Sequence, residues 1–441
     1  MSDRPKTVGA ISLGCDKNRV DTEKVLAYLS AAGYEIVGSI SEADYIIINT
    51  CAFIKSATKE SIDTVMECAA AKKEGAKILV LGCFTERYAR ETAEEFSEVD
   101  AFVGMNRYAE IVSILETLGS GERLYLGGTP AFYPPERVQT TPAHYAYLKI
   151  AEGCSNFCTY CAIPRIRGVY RSEPEDKILQ EAGMLADNGV KELIVVAQDT
   201  TRYGTDRGDT NISSLLKKLA KLDFRKIRLM YAYPEAVSDE LIETIAEEEK
   251  IVKYLDIPLQ HISAGVLKRM NRRTSPEAIY ALLEKLRKNI PDVAVRSTFI
   301  VGFPGETDSD FEELKRFIAD GNIDYAGFFA YSKEEGTPAA SMPGQIPYKL
   351  KKARERELSR LQCAVIQANH AKYLGKTVEV VYEGVNRAGT RFVGRTDFQS
   401  PGIDTKIYFT SDFPVEAGEY YDVEITRTGF DLGGKALRRK E

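Results

Sequence analysis

The 441-residue sequence lacks several features that would assign it to a class at once. No apolar run approaches the roughly 20 residues needed to span a bilayer, so no membrane helix is predicted. The first ten residues, MSDRPKTVGA, have no apolar core, and a signal peptide is not expected. Internal repeats and low-complexity tracts are also missing. With 44% hydrophobic and 28% charged residues, the composition predicts a soluble globular protein of the cytoplasm.

Two further absences bear on ligands. The segment IVGFPGETD (residues 300–308) places glycines between a predicted strand and a predicted helix, but it lacks the Lys-Ser/Thr pair of a phosphate loop, so nucleotide triphosphate binding is not supported. An excess of positive charge is missing as well, since the net charge is -6 and the sequence pI is about 5.6. A protein that mainly grips phosphates shows the opposite balance. This counts against nucleic acid as the main partner.

The order of hydrophobic runs predicts an α/β protein with three domains. Apolar runs at 7–14, 44–50, 77–82 and 101–104 alternate with helical patterns, which predicts a parallel-sheet N-terminal domain covered by helices. Glycines and prolines across 119–143 then mark a linker.

A second alternating region follows, and it predicts a partial (β/α) barrel. Its strand candidates are 145–152, 192–199, 226–233, 254–260, 294–301 and 325–331. A charged helix at about 347–374 leads to short, turn-punctuated strands, which predict a small C-terminal antiparallel β-barrel. The predicted domains span 1–125, 140–370 and 372–441.

Six of the eight cysteines form two triplets, and without a signal peptide they favour metal binding or catalysis over disulfides. The local triplet is Cys154, Cys158 and Cys161 in EGCSNFCTYCAIP. Its spacing lets one loop wrap the corner of an iron–sulfur cluster. The alternatives are a zinc site with His144 as the nearest fourth ligand, a redox dithiol of Cys158 and Cys161, and one face of a helix.

The dispersed triplet is Cys15, Cys51 and Cys83, each directly after an apolar run. Ligands of parallel sheets bind beyond the carboxyl ends of the strands, so the three sulfurs converge if those strands are neighbours. The alternative is that each is an isolated buried cysteine, which behaves as a small hydrophobe. Three thiolates per site, rather than four, leave one iron of a four-iron cluster open to another ligand.

EGCSNFCTYCAIP resembles the radical S-adenosylmethionine (SAM) signature, including Tyr160 before the last cysteine. The resemblance implies a 4Fe-4S cluster whose open iron binds SAM, and whose electron releases a radical that abstracts hydrogen. SLGCDKNRVDTE, NTCAFIKSATKESI and LGCFTERY resemble the N-terminal domain of methylthiotransferases. This second resemblance implies an auxiliary 4Fe-4S cluster on Cys15, Cys51 and Cys83. Cys68 and Cys363 match no family ligand.

The predicted SAM-binding residues lie near predicted strand ends. Gln198 in VAQDTTRYG faces the site in this prediction, with a polar strand–helix turn as the alternative. The segment with Gly302 and Gly305 resembles one that approaches the adenine of SAM, where glycine permits backbone contact. Tyr160 completes the predicted set, and no catalytic side chain beyond the cluster ligands is predicted.

CDKNRVD, NTCAFI, RRTSPE and FVGRTD…SPGID most resemble the ribosomal-protein aspartate methylthiotransferases (the RimO family). That family adds a methylthio group to the β-carbon of an aspartate in a small-subunit ribosomal protein. The alternative is a tRNA adenosine methylthiotransferase, since the architecture is shared.

The C-terminal region resembles a TRAM domain, which usually binds RNA. Residues 372–441 carry 11 Lys and Arg against 11 Asp and Glu, a balance that suits a basic protein partner. Contact with ribosomal RNA is a secondary expectation. A monomer is expected, and the residues identify neither a sulfur carrier nor an electron donor.

Overall fold

The structure is a computed structural model that describes residues 4–129 and 133–440. Residues 130–132 of the predicted linker lie outside the described residues, as do residues 1–3 and 441 at the ends of the predicted first and third domains. Within the described ranges, no helix has both the length and the apolar character that crossing a bilayer requires.

The N-terminal part is a six-stranded parallel sheet in the order β2-β1-β3-β4-β5-β6. Its strands are β1 Thr7–Ser12, β2 Glu35–Ile36, β3 Tyr45–Thr50, β4 Lys77–Gly82, β5 Ala101–Val103 and β6 Leu124–Tyr125. Its helices are α1 Asp16–Ala31, α2 Lys55–Ala71, α3 Cys83–Thr92 and α4 Ile111–Thr117. Every residue of β3 is buried, as a strand covered on both faces requires. The predicted parallel sheet is confirmed, and β1, β3 and β4 are adjacent.

The central part is a second six-stranded parallel sheet in the order β14-β13-β12-β11-β10-β7. Its strands are β7 Tyr145–Lys149, β10 Glu192–Val196, β11 Lys226–Leu229, β12 Ile251–Asp256, β13 Ala294–Val301 and β14 Tyr325–Ala330. A two-stranded ribbon pairs β8 Ala151–Glu152 with β9 Arg171–Ser172. The predicted partial barrel is confirmed.

Helices of the central part pack on one face of this sheet around the largest apolar core. They are α6 Glu175–Asp187, α7 Ile212–Leu219, α8 Asp239–Glu247, α9 Ala264–Arg269, α10 Pro276–Asn289, α11 Asp308–Ala319 and α12 Tyr348–Ala371. Local signals set their starts: Ser275 accepts from the Ala278 amide before α10, and Thr307 and Asp310 form a reciprocal capping box at α11. The short α5 Ile163–Ile166 instead packs through Ile166 against a core of the N-terminal part.

The C-terminal part is a closed five-stranded barrel in the order β15-β16-β17-β19-β18. The strands are β15 Thr377–Val385, β16 Phe392–Arg395, β17 Ile407–Thr410, β18 Tyr420–Arg427 and β19 Leu432–Lys440. The predicted barrel is confirmed; four of its pairs are antiparallel, and β17 and β19 close it as a parallel pair.

The barrel docks on the face of the central sheet opposite its helices. Phe398 joins the apolar cluster on that face. Tyr254 of β12 donates a 2.7 Å hydrogen bond to Asp404, whose carboxylate also pairs with Arg296 at 3.4 Å. Arg395 pairs with buried Glu192 at the start of β10. The inner face of the partial barrel is therefore filled in part by the C-terminal domain.

Candidate functional site: two cysteine triplets facing each other

The dispersed triplet lies at the carboxyl ends of three neighbouring strands, as the sequence predicts. Cys15 follows β1 and precedes α1, Cys51 directly follows β3, and Cys83 is the first residue of α3 after β4. The pKa of Cys51 is raised mainly by burial and further by Cys83 and Cys15, as expected for neighbouring thiols. The structure therefore brings these three predicted ligands together.

Glycines make the close approach of these loops feasible. Gly14 has φ +86°, and a Cβ atom there would lie 2.7 Å from Cβ and 2.9 Å from Sγ of Cys51. Gly82 has φ +88°, and its Cβ would lie 2.5 Å from the Thr50 carbonyl oxygen. Only glycine meets both demands, a left-handed backbone and no side chain. The repeated Leu-Gly-Cys sequence thus has a physical cause at each strand end.

Asn18, the last residue of the Cys-Asp-Lys-Asn segment, holds the loops of this triplet. Its Nδ2 donates 2.9 Å hydrogen bonds to the carbonyl oxygens of Leu13 and Thr50, which precede two of the three cysteines. Its Oδ1 lies 4.0 Å from Sγ of Cys83. The side chain is fully buried. Sequence reasoning used Asn18 only as a motif letter; its role as a tie between loops is visible only in the fold.

The local triplet lies on a loop between β8 and α5. Gly153 enters it with φ +72°, and a Cβ there would lie 2.6 Å from the Gly168 carbonyl oxygen. The Cys154 amide donates to that same oxygen at 3.1 Å, and the Cys161 amide donates to the Cys158 carbonyl at 3.0 Å. The pKa of Cys161 is raised first by burial and then by Cys158 and Cys154. These three sulfurs also share one small region.

The buried thiols of both triplets are suited to binding a positively charged metal centre. Burial raises the pKa of Cys51 to about 12 and that of Cys154 to about 11, so both are protonated near neutral pH. Metal coordination deprotonates a thiol outright and supplies the missing positive charge. In residues 4–129 and 133–440, no three His, Cys, Asp and Glu side chains converge tightly enough for a single metal ion. In a 4Fe-4S cube each cysteine binds a different iron, so its sulfurs need not converge on one point.

Tyr233 contacts the local triplet directly. Its hydroxyl lies 2.6 Å from Sγ of Cys158, and it is the donor when Cys158 is a thiolate. The guanidinium of Arg272 stacks on the Tyr233 ring at 3.8 Å, and its Nη2 donates to the Pro258 carbonyl at 2.8 Å. Nε and Nη1 of Arg272 are buried without a hydrogen-bond partner. Tyr233 was not singled out from the sequence, because nothing local marks a tyrosine 75 positions from its cysteine. Arg272 entered only as the first residue of the RRTSPE segment.

Two of the predicted SAM-binding residues, Tyr160 and Gln198, contact other side chains of the protein. Tyr160 packs edge-on against Phe303, with 6.4 Å between ring centroids. Gln198 donates weakly to Glu152 at 3.4 Å, and its Oε1 is buried without a partner. The cofactor role of Tyr160 and Gln198 stays a prediction.

The two glycines of IVGFPGETD have packing reasons for their identity. Gly302 has φ +69°, and a Cβ there would lie 3.0 Å from Cβ of Lys351 on α12. Gly305 has φ +78°, and its amide donates to the Gly344 carbonyl at 2.8 Å. Glu306 accepts from the Gly302 amide at 2.7 Å and fixes the turn. Approach to SAM by Gly302 and Gly305 also stays a prediction.

The two halves of the site meet at a buried interface. Tyr231, which follows β11, donates a 2.7 Å hydrogen bond to Asp16, the neighbour of Cys15. Its ring lies 3.5 Å beneath the ammonium of Lys17. Tyr231 has φ +61°, a conformation that costs about 1–3 kcal/mol in a residue other than glycine. Residues beyond the carboxyl ends of strands in both sheets thus touch.

Polar residues of α1 form ion pairs across this interface. Lys24 pairs with Glu181 at 2.7 Å, and Arg137 bridges Glu181 and Glu23. All four side chains are at most 5% exposed. Breaking such a buried pair costs about 3–5 kcal/mol because one charge is left uncompensated. The relative position of the two sheets is therefore strongly defined.

Family comparisons divide the chain into three segments. The Radical SAM superfamily matches residues 148–318, the Uncharacterized protein family UPF0004 matches residues 7–104, and the TRAM domain matches residues 374–437. Among solved structures, the radical SAM methyltransferase TsrM from Kitasatospora setae is similar at 12% identity, with a TM-score of 0.58 over 83% of this chain and 90% of that one. At this identity the likeness concerns the fold alone.

Curated relatives match nearly the full length. The chain is 45% identical to "Ribosomal protein uS12 methylthiotransferase RimO" from Pelobacter propionicus, with 99% of each chain covered. It is 46% identical to the protein of the same name from Geotalea uraniireducens, with 98% of each covered. It is 44% identical to the one from Clostridium tetani, with 97% of each covered.

Proposed function

Because the chain belongs to the RimO family of ribosomal protein uS12 methylthiotransferases, which are radical SAM enzymes, we propose that it adds a methylthio group to the β-carbon of an aspartate in uS12. The observation that carries the proposal is the pair of cysteine triplets on facing strand ends, joined by the contact of Tyr231 with Asp16. The tRNA alternative is not favoured, since the full-length relatives are named for a ribosomal protein.

Membership of the radical SAM superfamily implies one 4Fe-4S cluster and SAM. We assign that cluster to Cys154, Cys158 and Cys161, and a second, auxiliary 4Fe-4S cluster to Cys15, Cys51 and Cys83. When bound, the first cluster with SAM supplies hydrogen abstraction, and the auxiliary cluster supplies a binding place for the sulfur that is transferred.

The chain's own residues prepare this chemistry. Gly14 and Gly82 let the auxiliary loops approach, and Asn18 holds two of them. The Tyr233 hydroxyl donates to Cys158 and stabilises its thiolate. Tyr231 joins the central sheet to Asp16, the neighbour of Cys15. For SAM itself we propose Tyr160, Gln198, Gly302 and Gly305 as neighbours.

The remaining proposals concern organisation and partners. We propose domains at 1–125, 140–370 and 372–441, with uS12 approaching across the TRAM domain. That domain is a recognised nucleic-acid-binding type, so ribosomal RNA contact is a further proposal. We propose that the enzyme acts as a monomer in the cytoplasm, where its ribosomal substrate is made.

The deciding experiment supplies the anaerobically reconstituted enzyme with SAM, reductant and sulfide, and offers uS12 and tRNA in parallel. Mass spectrometry of each substrate then reports the methylthio gain. Gain on uS12 alone supports the proposal, and gain on tRNA alone contradicts it. Iron analysis of the same protein gives about eight irons per chain if both triplets hold clusters. About four irons would contradict the auxiliary site.

A further inference from the structure

Arg167 reaches from one cysteine triplet to the other. It lies just beyond the loop of Cys154, Cys158 and Cys161, at the C-terminal end of α5. Its guanidinium nevertheless donates to Asn18 Oδ1, the same oxygen that lies 4.0 Å from Sγ of Cys83. The side chain is 1% exposed. Among the contacts described above, no other joins a residue next to the radical SAM loop to Asn18, which holds the loops of the dispersed triplet.

Both terminal nitrogens of the Arg167 guanidinium donate hydrogen bonds at the interface. Nη1 donates to both carboxylate oxygens of Glu152, at 2.9 and 3.0 Å. Nη2 donates to Asp21 at 3.1 Å as well as to Asn18. Lys149 completes the group by pairing with Asp21 and, at 2.9 Å, with Glu152. A planar guanidinium can make these contacts at once, whereas an ammonium cannot.

The charged side chains near Cys83 are equal in number of each sign. Two cations, Arg167 and Lys149, face two anions, Asp21 and Glu152. Burial raises the pKa of Cys83, and Arg167 is the largest opposing influence. Of the two cations, Arg167 is the one that donates to Asn18 Oδ1, the atom 4.0 Å from the Cys83 sulfur. In a buried setting its charge acts on the sulfur with little screening by solvent.

We propose that Arg167 is a positioning residue for methylthio transfer: it ties the auxiliary triplet to the radical SAM loop, and its positive charge raises the reduction potential of the auxiliary cluster. The inference rests on the proposed function, because it takes Cys83 to be a cluster ligand. Charge and hydrogen bonds at the coordinating sulfur are recognised determinants of cluster potential.

The test measures the auxiliary cluster alone. Full-length protein carrying Cys154→Ala, Cys158→Ala and Cys161→Ala is reconstituted, and its midpoint potential is titrated by electron paramagnetic resonance. In this background Arg167→Gln is expected to shift the potential to more negative values, and Asp21→Asn to more positive ones. Arg167→Lys, which keeps the charge, is expected to shift it less than Arg167→Gln. Arg165→Gln, which removes an exposed charge from the same short helix, is the matched control.

Midpoint potentials that shift in opposite directions in Arg167→Gln and Asp21→Asn support the electrostatic role. General loosening of the interface would instead shift both potentials in the same direction. An unchanged potential in Arg167→Gln, or shifts of the same sign, overturns the proposal. If Arg167→Gln does not assemble a cluster, the midpoint potentials of Asp21→Asn and Arg167→Lys are compared instead. A more positive potential in Asp21→Asn supports the proposal, and an equal or more negative one overturns it. Absence of iron in the background protein with Arg167 intact would instead refute the auxiliary site itself.

In the protein with all six cysteines, a second measurement tests the tie between the triplets. For Arg167→Lys, the methylthiolated uS12 is counted per SAM cleaved, so that a change in the rate of reductive SAM cleavage does not enter the comparison. The variant's yield of methylthiolated uS12 per SAM cleaved is expected to fall, because the fork to Asn18 and Glu152 is lost. A yield equal to that of the wild type would overturn the positioning role.

Discussion

Replacing Gly14 by alanine tests whether the dispersed triplet is a cluster site built to close tolerances. An added Cβ would stand 2.7 Å from Cβ of Cys51, whereas unstrained carbon contacts are about 3.5–4.0 Å. Cys51 would therefore have to move by about 1 Å. Metal–ligand distances tolerate only about 0.2 Å. We expect the Gly14→Ala protein to lose the auxiliary cluster while it keeps the radical SAM cluster.

The variant also has a backbone cost that must be separated from the clash. Gly14 has φ +86°, and a left-handed conformation costs roughly 1–2 kcal/mol for alanine. Gly33, at the other end of α1, has φ +87° but no atom within 4 Å of its missing Cβ. Gly33→Ala therefore pays the same backbone cost without touching Cys51, and it is a matched control.

The assay is iron and acid-labile sulfide per chain, measured in protein that also carries the three alanine substitutions at 154, 158 and 161. About four irons are expected for the parent and for Gly33→Ala, and close to none for Gly14→Ala. Denaturant unfolding should show the backbone cost in both variants and a larger loss of stability in Gly14→Ala, where the clash with Cys51 is added. A Gly14→Ala protein with a full complement of iron would refute the reasoning from the loop geometry.

Three other changes have defined outcomes. Cys51→Ala should abolish methylthiolation of uS12 but leave reductive SAM cleavage; a protein that still methylthiolates at the wild-type rate would contradict the assignment of Cys51. Tyr233→Phe removes a hydrogen bond worth about 1 kcal/mol, so titration should find the radical SAM cluster potential lower by about 40 mV, and an unchanged potential would count against the contact. Burial raises the pKa of Glu173 from 4.5 to about 7, so the folded state holds a proton that the unfolded state releases, and stability falls as pH rises from about 4.5 to 7. Glu173→Gln should therefore raise the free energy of unfolding at pH 8 by up to about 3 kcal/mol with little effect near pH 4.5, and equal pH dependence in both proteins would refute this.

Much of the fold could be predicted because local patterns determine it. Runs such as YIIINT are strands in any covered parallel sheet, and β3 forms where expected. The start of β12 was missed, since Lys253 interrupts its apolar run. In the structure, that lysine reaches out of the sheet and donates to the Glu248 carbonyl at 3.0 Å. A lysine can occupy a buried strand because its aliphatic stem packs there while its ammonium reaches a polar partner, yet in the sequence it interrupts the apolar run.

Strand β19 carries little sequence signal, for a different reason. Its sequence, LGGKALRRK, begins with two glycines and ends with basic residues, and neither favours a strand. Gly434 is needed there because a Cβ atom would lie 2.7 Å from Cγ1 of Val423 on the paired strand. Close approach of two strands in a small closed barrel outweighs propensity.

The candidate site was predictable in its cysteines but not in their supports. Cys15, Cys51 and Cys83 follow apolar runs, and that position was enough to bring them together. Arg167 and Asn18 are 149 positions apart, and no sequence period relates them. Tyr233 and Cys158 are 75 positions apart, on loops that follow different strands of the central part. The first contact depends on how two domains are placed and the second on how distant loops of one domain meet, and neither is encoded locally.

The docking of the C-terminal barrel has a consequence for substrate delivery. The barrel is anchored on one face of the central sheet, which also carries the radical SAM loop, by Phe398, Asp404 and Arg395. A macromolecule gripped by the outward strands would consequently be held at one constant separation from the reacting groups. The modified residue of a large ribosomal partner would then be selected by its distance from the surface that the barrel binds, as well as by its local sequence.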